Sequence, residues 1–208
     1  MHLTKSYLEK FVGNRKYWLK RSLFIWAVLP LFYLAFLIST GNLGTNPQEF
    51  IERYLGTCTL VLLLVTYSIS VKLNKAIPHI ICCRRMVGLF SFVYMIFHFF
   101  AYIIFEHSFV MADFFQDFLN RPFVFFGTLA FLMTIPLALT SNSVSMKFLG
   151  RWWKKLHFMI TPIILLSLAH YFLHKAGKND FFWPFMATVV FGIVYVAKKW
   201  NYSGARKS

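Results

Sequence analysis

Four histidines, His98, His157, His170 and His174, fall within or at the edges of long apolar runs. An ionisable side chain inside a membrane is expensive, so each is a functional candidate. A single membrane histidine is most often a hydrogen-bonded packing residue, but a depth-matched pair is chemically different. Two neutral imidazoles at one level on parallel helices can clamp an iron from opposite faces, which is the bis-histidine ligation of haem. His98 stands 12 residues beyond the start of an apolar run at Met86, and His170 stands 13 beyond the start of another at His157. At about 1.5 Å of rise per residue the two rings differ in depth by only a few ångströms.

His157 lies 13 residues before His170, roughly 20 Å away in depth, too far for one haem to bridge. At the level of His157 the matching helix carries Arg84 and Arg85, whose planar forks suit haem propionates or an anionic cofactor better than iron. The same 13-residue step falls some 140° short of four whole turns, so on a straight helix His157 and His170 do not share a face. Pro162 stands between them and can kink the helix toward realignment. His174, one turn after His170 and on its face, is the local competitor as ligand. Tyr94 and Tyr102 flank His98 and read as packing. Cys82 and Cys83 sit side by side in a basic connection, with no disulfide framework or CxxC motif.

Six segments must position these residues: Ser22 to Thr40, Leu55 to Val71, Met86 to Phe105, Pro122 to Thr140, His157 to Leu173 and Phe181 to Ala197. Each approaches the roughly 20 apolar residues needed to span a bilayer. The composition agrees, with 58% hydrophobic residues, 14% charged, 26 phenylalanines and a mean hydropathy of +0.59. Soluble chains average roughly 45 to 50% apolar and about 25% charged residues. The expected fold is an all-α bundle of six transmembrane helices at 22–197, between basic tails at 1–21 and 198–208. The first apolar run reads as a retained helix, because no small-residue cleavage site follows it.

A net charge of +15 would suggest nucleic-acid binding in a soluble protein, but here the cations cluster at the edges of the apolar runs. With the N-terminus cytoplasmic, that side holds 18 of the 22 Lys and Arg, among them Lys72, Lys75, Arg151, Lys154 and Lys155, against Glu9 as its only acid. The opposite side holds Arg53, Arg121, Lys175, Lys178 and the other six acids. The bias has one sign at every connection, so both termini are expected in the cytoplasm. On the outer side Asn46, Pro47 and Glu49 form a helix-start signature, so a short helix is expected to begin there and lead into the second span. Glu106 to Asn120, with Phe109, Phe114, Phe115 and Phe118, reads as an interfacial segment or as a docking surface for an outer partner. No internal repeat, soluble domain, P-loop, GxGxxG, zinc motif or nucleophile triad is present.

Several short motifs, in order, carry a family likeness: Leu43-Gly44-Thr45-Asn46-Pro47, Arg84-Arg85-Met86-Val87-Gly88-Leu89 leading to His98, Arg121-Pro122-Phe123, Thr140-Ser141, Leu149-Gly150-Arg151-Trp152 and Leu156-His157. Over roughly residues 20 to 200 the chain resembles the haem-binding membrane subunits of bacterial periplasmic methionine sulfoxide reductase systems, within the ferric reductase-like transmembrane family. The resemblance implies an inner-membrane protein with haem b, one or two per chain, and FMN. It implies electrons drawn from the quinone pool or a cytoplasmic flavin reductase and delivered to a periplasmic molybdenum-cofactor subunit, MsrP. The family's histidines map onto His98, His157 and His170, whereas His174 is outside that pattern. The wider family usually has two histidine pairs, and Arg84 and Arg85 break one of them.

The residues and the resemblance therefore point to a non-catalytic electron-transfer subunit, with no nucleic-acid partner. Two other functions fit the same membrane histidines: a stand-alone ferric or other metalloreductase, and a haem-free transporter using them as proton relays.

Overall fold

The computed structural model describes residues 2–70 and 79–204, with side chains described over 14–70 and 79–200. The described chain is helical, and its order is α1 His2–Ser39, α2 Pro47–Ile69, α3 Arg84–His107, α4 Met111–Asn120, α5 Pro122–Leu139, α6 Ser143–Leu149, α7 Arg151–His157, α8 Ile160–Ala176 and α9 Phe182–Gly204. Among the described residues six stretches are long and apolar enough to cross a membrane: 14–39, 47–69, 80–107, 122–139, 151–176 and 182–200. Their outward faces carry large apolar side chains, such as Phe32 at 70% exposure and Ile193 at 65%, which is tolerable only where the solvent is lipid.

The helix boundaries follow from local chemistry. Asn46 accepts from the Glu49 N–H and donates back to the Glu49 carboxylate, both at 3.3 Å, and Pro47 opens α2. The expected start is therefore in place, but α2 runs without interruption to Ile69, so no separate short helix precedes the second span. Val71, Lys72 and Lys75 lie outside the described residues. The first helix begins well before Ser22, at His2: the sequence there is rich in Lys and Arg, which are good helix formers, and no proline falls between residues 2 and 21. The fifth span is built of two pieces. Pro162 offers no N–H to the carbonyl of Phe158, and the backbone there closes tighter turns, with Thr161 N–H bonding Phe158 at 3.2 Å and Met159 N–H bonding Leu156 at 3.0 Å.

Helix α2 packs along α3, and α5 along α8. Contacts of α3 with α5 and of α2 with α8 close these pairs into a four-helix ring, with α3 and α8 on one diagonal. Helix α1 lies outside this ring against α2 and α3, tied by Tyr94 Oη donating to the Ala27 carbonyl at 2.7 Å and Tyr54 Oη to that of Pro30 at 3.1 Å. Helix α9 covers α8 and α2, with Phe191 buried beside Tyr67.

The two ends of the bundle differ in charge. All the described ion pairs lie at one end, where Glu49 binds Arg53 and Lys178, Asp180 binds Lys175, and Asp117 meets His107 and Arg121. Helix α4 sits there between α3 and α5. It buries Phe114, and its Asp117 also accepts from Tyr102 Oη at 2.8 Å. The opposite end is basic, with Lys155 over the Trp152 ring and Lys198 over the Tyr67 ring.

Candidate functional site

Helices α3 and α8 bring His98 and His170 together inside the ring. Their ring centres are 6.0 Å apart and their planes 76° apart. Both rings are partly buried, in the half of the bundle nearer the acidic end. His98 Nδ1 lies 3.0 Å from the carbonyl of Glu52 on α2, and His170 Nδ1 lies 2.7 Å from the carbonyl of Phe123 on α5. A carbonyl can only accept, so each Nδ1 carries the proton and each Nε2 keeps its lone pair.

This arrangement fits haem. A ligating histidine ordinarily donates its other ring N–H to an oxygen acceptor, which fixes the tautomer and the ring orientation. With metal–nitrogen bonds of about 2.0 Å on either side, two opposed imidazoles have centres roughly 6 Å apart. Among the described residues no group of three or more His, Cys, Asp or Glu side chains could hold a metal ion. The pair is thus a two-donor set, suited to a metal whose remaining donors come from a macrocycle.

The other histidines stand apart. His174 stacks on His170 at 6.3 Å and against Phe123 at 5.7 Å, one turn nearer the acidic end, and does not oppose His98. His157 is at the basic end, stacked on Trp153 with centres 4.0 Å apart, and its Nε2 is 3.1 Å from Thr140 Oγ1. Arg84 is partly buried and Arg85 exposed. Arg84 lies within electrostatic range of His157 and Lys198, about 21 Å along α3 from His98. The sequence candidates therefore separate into a central pair and a basic cluster.

Sequence reasoning missed the residues that hold the rings: the carbonyls of Glu52 and Phe123, and the glycines Gly56 and Gly127, against which the two rings lie. Main-chain acceptors leave no mark in residue type. The available signal was one glycine in each of the two spans that precede the histidine-bearing ones, with 42 residues from Gly56 to His98 and 43 from Gly127 to His170.

Comparisons with known proteins follow the same lines. The family described as "Ferric reductase like transmembrane component" matches residues 54–168. The "Protein-methionine-sulfoxide reductase heme-binding subunit MsrQ" of Herminiimonas arsenicoxydans is 38% identical over 193 residues, covering 91% of this chain and 88% of that protein. The protein of the same name from Bordetella pertussis is 36% identical, covering 91% and 94%. "Magnetosome protein MamZ" of Magnetospirillum gryphiswaldense is 34% identical over 91% of this chain but only 30% of its own length. No solved structure matches the chain.

Proposed function

This chain belongs to the ferric reductase-like transmembrane family and, within it, to the MsrQ heme-binding subunits, and from that premise we propose that it is the haem b electron-transfer subunit of a methionine sulfoxide reductase system. It takes electrons from the quinone pool or a cytoplasmic flavin reductase and passes them across the bacterial inner membrane to the periplasmic molybdenum-cofactor subunit MsrP, which repairs methionine sulfoxide in proteins. The observation that carries this reading is the His98–His170 pair, opposed at 6.0 Å with each Nδ1 held by a carbonyl. Haem b, when bound, supplies a one-electron couple inside the low-dielectric bilayer.

The chain's own residues divide the work. His98 and His170 present Nε2 from diagonal helices, and the carbonyls of Glu52 and Phe123 hold the rings in orientation. With both termini in the cytoplasm, the pair lies in the periplasmic half, near the partner to be reduced. At the cytoplasmic end Arg84, with Arg85 and His157 nearby in the chain's inner cluster, provides positive charge for an anionic donor group such as the phosphate of FMN or a haem propionate. The test is the optical spectrum of the purified protein, followed by reconstitution with MsrP. A low-spin haem b spectrum and methionine sulfoxide reduction only with MsrP and a donor together are expected. A colourless protein, or sulfoxide reduction by the isolated chain with a simple reductant, overturns the reading.

A second reading, a ferric or metalloreductase working without MsrP, is favoured by the description of the matching family. It predicts that the haem-loaded chain reduces chelated ferric iron in the absence of MsrP at a rate that adding MsrP does not change.

A further inference from the structure

The two histidine-bearing halves of the bundle solve one steric problem in the same way. In a helix the carbonyl of residue i already accepts from the N–H of residue i+4, and its second lone pair is free to accept again. The side chain of residue i+4 leans back over the turn that contains that carbonyl. A ring approaching from a neighbouring helix therefore meets the Cβ of residue i+4 before it can reach the oxygen. In α2 the carbonyl is that of Glu52 and the residue four later is Gly56. In α5 it is Phe123, and four later is Gly127.

The clearances quantify the requirement. A Cβ placed on Gly127 would stand 2.7 Å from His170 Nδ1 and 3.0 Å from Cε1, closer than such contacts can be. His170 cannot retreat without lengthening its 2.7 Å bond to Phe123. A Cβ on Gly56 would stand 3.0 Å from His98 Cε1 and 3.3 Å from Nδ1, a crowding relieved by a shift of a few tenths of an ångström. Gly192, by contrast, has nothing within 4 Å of its Cβ position, and Gly88 would meet only Thr66, at 3.3 Å.

We infer that Gly56 and Gly127 are positioning residues, each the gap through which a ligand imidazole reaches a helix carbonyl, and that together they set the ring planes of the haem ligands. The inference rests on the reading of His98 and His170 as the haem pair. Its test uses the full chain purified with its haem, comparing Gly127→Ala, Gly56→Ala, Gly88→Ala and Gly192→Ala by haem content, paramagnetic resonance and midpoint potential.

Gly127→Ala is expected to lower haem affinity roughly 10–100-fold, as loss of a ligand's supporting contacts does. Gly56→Ala is expected to keep its haem but to shift the largest g value and the potential, because the His98 ring turns. Gly88→Ala crowds α3 without touching either ring, so it should lower thermal stability while leaving the g values in place, and Gly192→Ala should match the parent. If Gly127→Ala fails to accumulate, Gly56→Ala still decides. Wild-type g values and potential in Gly56→Ala overturn the inference, as does full haem content with wild-type resonance in Gly127→Ala. A parent protein without a low-spin bis-histidine signal overturns instead the assignment of the pair itself.

Discussion

His157 Nε2 stands 3.1 Å from Thr140 Oγ1, and that hydroxyl also lies 2.6 Å from the carbonyl of Pro136. A hydroxyl has one hydrogen, and the carbonyl takes it, so the histidine must be the donor. Its Nε2 lone pair is thereby withdrawn from metal binding in this arrangement. Replacing His157 with Ala is expected to leave the low-spin haem signal of the central pair intact and to slow reduction by the cytoplasmic donor. Optical and resonance spectra together with donor-driven reduction rates check this, and loss of the low-spin signal would move His157 into the ligand set.

His98→Ala and His170→Ala should each abolish the low-spin spectrum, since removing either ligand empties one axial position. His174→Ala should change little, because its ring stacks on His170 rather than opposing His98. The 76° angle between the ring planes adds a spectroscopic signature. Near-perpendicular imidazoles give a highly anisotropic low-spin resonance with a large maximum g value, whereas parallel planes give a rhombic one. A rhombic spectrum in the parent would show that the rings rotate from this angle when iron binds.

Asp117 collects three partners, Tyr102 at 2.8 Å, Arg121 at 3.2 Å and the buried His107 at 3.4 Å, and so ties α4 to α3 and α5. Asp117→Ala leaves the Tyr102 phenol without its acceptor and removes the carboxylate facing His107 and Arg121. It is expected to cost about 1–3 kcal/mol, the usual penalty for orphaning buried polar groups. Thermal unfolding in detergent, followed by the haem band and by tryptophan fluorescence, measures the loss.

Orientation is open to direct measurement. The charge bias predicts a periplasmic position for a reporter at Asp113, and cytoplasmic positions for reporters at Lys75 and Ser208, two sites outside the described residues. A cytoplasmic reporter at Asp113 would invert the scheme, placing the histidine pair on the donor side.

Much of this architecture was legible because depth in a helix is linear in sequence. Twelve and thirteen residues of rise bring His98 and His170 to one level, and the rings do meet. Rotation about the helix was less readable, because Pro162 changes the hydrogen-bond pattern at Phe158 and Met159 and breaks the 100° step. The extent of α1 was underestimated because hydropathy marks where a chain contacts lipid, not where its helix begins. The supports of the rings were hidden for a further reason. Gly56 and Gly127 acquire meaning only once α2 is known to flank α3 and α5 to flank α8, a neighbourhood that one-dimensional spacing does not specify.

Main-chain oxygens hold both rings of the proposed ligand pair, and this shapes how the site would answer a saturation scan. Positions 52 and 123 supply the acceptors from the main chain, so a substitution such as Glu52→Gln should be nearly silent in haem binding, whereas the Phe123 ring also packs against His170 and His174. The intolerant columns would be position 127, where even alanine collides with His170, and position 56 for side chains larger than alanine, beside the histidines themselves. A search for this centre by its polar side chains would pass over half of what builds it.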